Sequence, residues 1–243
     1  MPYYSTVATV VSRAARQLGL VAADIADPFT STDPNILQML SLLTQIGQDL
    51  VSAHEWPHLV VKDYTFTTLT SVASYDLPAD FDRHVDQTQW NRSSSLPLVP
   101  VGPQGWQVLK TLNSASAVHF YFRAEDNALL LHPTPAGTHT VALEYVRRTW
   151  VLPDGGNPSD RTDAPTESDD SLLFDARLLV HALKLSFLSA KGFDTSAAQA
   201  AYDSAFAAAK SAAPAPVLSL DGAASRQNSP AGAWNLPPTG WAG

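Results

Sequence analysis

The apolar residues of this chain change their spacing twice, and that order limits the folds open to it. They recur at helical intervals up to about residue 58, alternate from residue 59 to about 150, and return to helical intervals after residue 169. A period near 3.6 marks a helix with one buried face, and a period of 2 marks a half-buried strand. The chain therefore reads as helices, then an antiparallel β domain, then helices again: an α+β protein.

The first helix is predicted from Val7, Val10, Val11, Ala14, Ala15 and Leu18, capped by Ser5 or Thr6 and stopped at Gly19. In the second, Asp33 caps and Pro34 takes the first helical position, where its missing N–H costs nothing. Ile36, Leu37, Leu40, Leu43, Ile46 and Leu50 form its stripe, widened by Met39, Leu42 and Val51, which predicts burial on more than one side. Its end is expected near Trp56-Pro57, because a residue before proline avoids helical geometry. Strands are predicted from Leu59 to Thr67, near Tyr75, and at Val85–Trp90, Val118–Arg123, Ala128–Leu131 and Thr138–Arg147. Asp126-Asn127 reads as a hairpin turn. Trp90, Trp106 and Trp150 are expected to pack the β domain, with Trp56 at the corner between helix and strand.

Residues 153–170 form a loop with six carboxylates against Arg161 alone, read as solvated. Ser168 or Asp169 is predicted to cap a helix carrying Leu172, Leu173, Ala176, Leu179, Leu183 and Phe187, ended by Lys191-Gly192. An Ala-rich helix follows from Asp194 to Ala212, with Tyr202 and Phe206 its bulky apolar residues. Ala213 to Gly243 show neither period. Five prolines, four glycines and the isolated Trp234 and Trp241 suggest an extended segment. Isolated aromatics in such a segment suit a partner's pocket, so Trp234, Leu236, Pro237, Pro238 and Trp241 are candidate partner-binding residues.

Composition narrows the chemistry. With no cysteine, disulfides and thiol catalysis are excluded. A net charge of -8 argues against a tight grip on nucleic acid, which requires Lys and Arg at the phosphates. No apolar run reaches the length of a membrane span, and Met1-Pro2-Tyr3-Tyr4 does not open a secretory signal. His54-Glu55-Trp56-Pro57-His58 matches the H-E-x-x-H pattern of zinc peptidases, which needs a helical turn. Pro57 stands inside that turn, so a chance match at a helix end is the preferred reading. His84, His119, His132, His139 and His181 are scattered, although His119 and His132 are placed to meet across strands. Asp76, Asp80, Asp82 and Asp86 gather around a turn, where turn and cap duty explains them better than glycosidase chemistry. No nucleophile elbow, phosphate loop or dinucleotide fingerprint occurs. No catalytic residue, metal ligand or cofactor is predicted. A metal- or carboxylate-dependent hydrolase, or a carbohydrate-binding module on the β domain, are the competing classes.

The order of short motifs is more telling. A helix closing on His54-Glu55-Trp56-Pro57 precedes Tyr75-x-Leu77-Pro78-x-Asp80-Phe81-x-Arg83, with Trp90 shortly after and Leu129-x-Leu131-x-Pro133-x-Pro135 beyond. Over roughly residues 30–212 this resembles the bacteriophage head-to-tail adaptor proteins, especially the tail tubular protein A-like and tail accessory factor group. The resemblance implies a bundle of N- and C-terminal helices (1–58 and 169–212) with an inserted β domain (59–152), to which the residues themselves add an acidic loop (153–168) and an extended arm (213–243), both less typical of that group. It further implies a homo-oligomeric ring, usually a dodecamer, docked under the portal protein in the virion neck after assembly in the host cytoplasm. Such a ring extends the channel for genomic DNA without reading its sequence, and offers a platform to the downstream tail or nozzle protein. Neither an enzymatic activity nor a membrane is implied.

Overall fold

The computed structural model describes residues 4–112 and 119–212, so the candidate anchors Trp234, Leu236, Pro237, Pro238 and Trp241 lie outside the described residues. In chain order, β1 (Ser5–Thr6) runs into α1 (Val7–Gln17), and α2 (Pro34–Ala53) follows a loop. Next come β2 (Val60–Thr67), β3 (Ser74–Asp76), β4 (Phe81–His84), β5 (Trp90–Asn91), β6 (Leu96–Pro97), β7 (Val99–Pro100) and α3 (Pro103–Leu112). Then β8 (Tyr121–Glu125), β9 (Ala128–His132), β10 (Thr140–Arg147), β11 (Val151–Leu152) and β12 (Ser171–Leu172) lead to α4 (Ala176–Lys191) and α5 (Ser196–Ala212). The fold is α+β.

Local chemistry sets most helix ends. Thr6 caps α1 by accepting from the Thr9 N–H, and Asp33 caps α2 by accepting from Asn35 at 2.8 Å. Gly19 and Gly192 follow the helices with φ of +72° and +74°, a left-handed geometry that glycine adopts without strain. The cap of α4 is Asp175, whose carboxylate accepts from the N–H groups of Arg177 and Leu178. Neither Ser168 nor Asp169 caps it, because Leu172, assigned by periodicity to the helix, is buried in strand β12. Likewise α2 stops at Ala53, three residues before Trp56. Its apolar breadth is only partly used: Leu37 is exposed, while Leu40 and Leu42 are half-buried.

Three sheets organise the rest. A small sheet, ordered β1-β12-β11, gathers three remote segments of chain beside the helices. A second, β2-β10-β5-β6 with β4 also on β10, and a third, β3-β9-β8-β7, share an apolar core of Leu77, Leu98, Phe122, Leu129, Leu131, Val141, Leu143 and Tyr145. Asp126 and Asn127 both take positive φ at the β8–β9 turn, as an Asp-Asn hairpin requires. Two features depart from the pattern. The run Val85–Trp90 contains no strand before Trp90. Strand β7 pairs with β8 in parallel, and α3, which periodicity did not reveal, lies in the crossover that a parallel pair needs.

A second core joins α1, α2 and α4 to Trp56, Leu59, Val146, Trp150, Val151, Leu172, Leu173 and Phe174. Trp150 belongs here and not in the β core. It is fully buried, and its indole fills the space over Gly47 of α2: a Cβ on Gly47 would lie 2.0 Å from Trp150 Cε2. The indole N–H donates to the Asp163 carbonyl at 2.9 Å, and the Trp150 backbone N–H donates to Thr162 at 3.0 Å. The acidic loop is therefore fastened, not merely solvated. Asp170, 1% exposed, accepts from the backbone N–H groups of Thr166 at 2.8 Å, Glu167 at 2.9 Å and Asp154 at 3.3 Å, and from the Thr166 hydroxyl. A carboxylate so placed replaces water for several loop amides at once.

Gly47→Ala tests this packing. Helix propensity alone predicts a gain of about 1 kcal/mol. Displacing the indole predicts a net loss of about 2–3 kcal/mol, read from the denaturant midpoint.

Candidate functional site

Several residues that carry the adaptor resemblance, Trp56, Asp80, Phe81 and Arg83, meet where α2 gives way to β2 and β4. Helix α2 ends with open carbonyls, and no basic residue of its own last turn serves them. Arg83 on β4 supplies the cap: its Nη2 donates to the carbonyls of Val51 at 3.0 Å and His54 at 3.1 Å. Asp80, three residues earlier, accepts from the Tyr145 hydroxyl at 2.9 Å and lies 3.0 Å from the Arg147 guanidinium. Phe81 packs on the Tyr145 ring with centroids 5.5 Å apart, and Leu77 enters the β core. Burial first, and then the Asp80 hydrogen bond, push the Tyr145 hydroxyl up to about 12.

On the helical side, Trp56 is 3% exposed and its indole N–H donates to the Leu50 carbonyl at 2.7 Å. Its ring meets Phe174 edge-on at 5.5 Å and Phe206 of α5 at 6.0 Å. His54 and His58 also pack on Trp56. His54 has extended backbone, φ -158° and ψ 155°, so H-E-W-P-H is no helical turn and cannot present two imidazoles one turn apart. Among the described residues no group of three His, Asp or Glu side chains is arranged to hold a metal. His58 Nε2 is buried without a hydrogen-bond partner. Burial and, secondarily, Arg161 lower this imidazole to about 4. Arg161 donates to the His58 carbonyl at 3.3 Å.

The remaining candidates do not come together. His132 packs on Trp106, and His119 does not pair with it across the strands, because β8 begins at Tyr121, opposite His132. Asp82 pairs with Arg83, and Asp86 lies 3.5 Å from His84. A shallow depression of about 240 Å³ is lined by Leu77, Phe81, Asp82, Ala124, Glu125, Asp126 and Asn127. Its acidic groups sit beside Arg83 and Arg123, not across an enclosed cleft. The large apolar side chains exposed in the sheet region, among the described residues, are Leu69 and Val108, neither of them an aromatic platform for a sugar ring. Sequence reasoning noted Arg83 in the motif without its capping role and Arg161 only as the lone cation of its loop, and it did not single out Gly47 or Asp170.

The converging motif is thus a joint, not a reaction centre, and a comparison with known families agrees in kind. A family model described as SU10 adaptor protein matches residues 5–231. The chain belongs to this family. The match takes in the helices, the sheets and the acidic loop, and it ends before Trp234 and Trp241. It marks the chain as a phage structural adaptor. No curated protein matches the sequence.

Two measurements check the joint. Arg83→Ala, which uncaps α2 and leaves buried carbonyls unpaired, is expected to lower stability by about 1.5–3 kcal/mol, with Arg83→Lys restoring only part of it. His58 governs a pH response. Its folded value lies below the ordinary 6.5, so the unfolded chain binds the extra proton first on acidification. The His58 contribution to stability is full above pH 6.5 and is lost as pH drops toward about 4. In chemical denaturation across that window, His58→Phe is expected to remove on the order of 2 kcal/mol of the loss.

Proposed function

We propose that the chain is a head-to-tail adaptor of a phage neck, working as a homo-oligomeric ring of twelve copies docked beneath the portal protein. The adaptor-family match over residues 5–231 carries this reading. In it, the ring extends the DNA channel and presents a platform to the downstream tail or nozzle protein, as the similarity to tail tubular protein A-like adaptors implies. The helical segments (1–58 and 169–212) form the ring body, and the β domain (59–152) faces outward or toward the next tail component. The virion neck is its place, after assembly in the host cytoplasm.

Physical properties of the chain suit this role. A joint in which Arg83 caps α2 and Asp80 ties β4 to β10 holds the sheets fixed relative to the helices. That rigidity matters in a piece that transmits load between two rings. A net charge of -8 repels the phosphate backbone, which favours sliding of a genome over sticking. Residues 213–243 carry the candidate anchors Trp234, Leu236, Pro237, Pro238 and Trp241. Fully extended, 31 residues span up to about 100 Å, enough to reach a neighbouring ring. Many such arms acting together make attachment far tighter than one arm alone.

Deletion of residues 214–243 tests the arm. The truncated chain is expected to keep the melting temperature of the full chain, because both apolar cores lie within residues 4–212, and to lose retention on purified portal rings. Trp234→Ala with Trp241→Ala should weaken retention at least tenfold, about 1.4 kcal/mol. Unchanged retention would remove the arm from the attachment, and failure of the full chain to bind portal would remove the portal from the reading.

A further inference from the structure

The outward face of α4 carries a row of basic side chains that form no ion pair with the rest of the described residues, Lys191 lying over the Phe187 ring at 5.2 Å. Arg177, His181, Lys184, Leu188 and Lys191 recur at intervals of four, three, four and three, so they fall on one stripe of the helix. At 1.5 Å per residue the stripe is about 20 Å long. Arg177 and Lys191 are exposed, and His181, Lys184 and Leu188 are half-buried. Among the described residues, none of Arg177, Lys184 and Lys191 lies within 4.0 Å of a carboxylate. The charges facing His181 are Lys184 and Arg177, and both push it toward the neutral form after burial has done so. In a chain of net charge -8 this is a notable concentration of unanswered positive charge. Just past its end, at the turn into α5, stands Phe193, 63% exposed.

The opposite sign gathers on another side of the same helices. Trp56, at the end of α2, meets Phe174, just before α4, and Phe206, late in α5. The C-terminal ends of α2 and α5 therefore lie together, near the start of α4. Asp49 of α2 and Asp203 of α5 both act on Tyr202. Glu55 lies beyond Asp49 toward one end of the pair, and Asp194 lies before α5 toward the other. Asp49, Glu55, Asp194 and Asp203 form no ion pair with any described residue, and Lys210 is the cation of α5 on this side, set over the Phe206 ring. Asp49 and Asp203 are both exposed, and they form the acidic counterpart of the stripe.

We infer that the basic stripe of α4 docks on the acidic α2–α5 side of a second copy of this chain, and that this contact closes the ring. The inference rests on the ring reading given above and deepens it. Two different faces of one molecule that complement each other make a head-to-tail contact, which repeats until the rotation closes. Like charges oppose in the reversed arrangement, so the pairing also fixes the direction of assembly. Leu188 and Phe193 supply apolar contact within and beside the polar row.

Charge reversal on the full chain tests it. The variant Arg177→Glu/Lys184→Glu makes both faces acidic, and Asp49→Lys/Asp203→Lys makes both basic. Thermal melting first confirms that each variant folds. By mass photometry and negative-stain microscopy, alone and on purified portal rings, each variant is expected to lose at least tenfold of its ring population. A mixture of the two variants is expected to recover rings, because acidic-faced and basic-faced copies then alternate. Unaltered rings from either variant, or no recovery on mixing, would overturn the inference while leaving the ring itself standing. Absence of rings from the unmodified chain in both settings would overturn the ring reading and this contact with it. Salt-dependent retention of duplex DNA, lost in Arg177→Glu/Lys184→Glu with rings intact, would assign the stripe to nucleic acid and overturn it too.

Discussion

The fit of Trp150 over Gly47 is the constraint on which the rest of the structure depends. An indole seated against a bare stretch of helix brings the exit of the β region into the helical core, where a side chain on α2 would forbid it. Everything downstream takes its place from that contact. The Trp150 indole and backbone hold Thr162 and Asp163. The Trp150 carbonyl accepts from Leu173, and its ring packs on Phe174 at 5.8 Å. Leu172 then pairs with both Val151 and Ser5, so one short sheet joins the start of α1, the end of the β region and the approach to α4. The chain can leave the helices for some ninety residues and return because this sheet and this indole close the gap. The favourable term is burial of large apolar surface, and Asp170 keeps the polar loop from opposing it.

The same logic explains how a motif of common residues builds the joint. Arg83 satisfies the carbonyls of α2 from the neighbouring sheet, Asp80 binds Tyr145 and Arg147 of β10, and Trp56 fills the space the helix end would leave. Each residue is unremarkable alone. Together they make a charged and aromatic weld between two apolar cores, each of which would otherwise be free to rock on a short connection. A structural adaptor is served by such a weld and has no use for the open cleft that catalysis requires. The histidines at this joint are packing groups, and His58, half-buried with its Nε2 out of water, makes the joint sensitive to acid.

Much of the architecture was legible in the sequence, for identifiable reasons. Thr6, Asp33 and Pro34 announce helix starts because their chemistry is local, and Asp126-Asn127 announces a hairpin for the same reason. Pro57 correctly argued against a helical zinc motif. The failures have a common origin in tertiary structure. Leu172 fits a helical period yet belongs to β12, because two partner strands claim it. The α3 crossover is short, and among its described side chains Trp106 alone is deeply buried, too weak a pattern to detect. Trp150 was assigned to the β core by its neighbours in sequence, and only its contact with Gly47, a hundred residues away, places it elsewhere. Asp170 was one of six similar carboxylates, and nothing in the sequence distinguishes the buried one. At the candidate site the motif residues were legible, but their partners, the Val51 and His54 carbonyls and the Tyr145 hydroxyl, were not. Trp234, Leu236, Pro237, Pro238 and Trp241 fall outside both the described residues and the family match.

These pieces describe a rigid two-core subunit whose surface charge is unevenly divided and whose family builds phage structures. The most direct test of that account is electron microscopy of intact virions that carry this chain, with its copies located by a label on an exposed site. The account predicts a closed ring of identical copies between portal and tail, with the DNA channel through its centre. Finding the chain away from that junction, or absent from the particle, would contradict it.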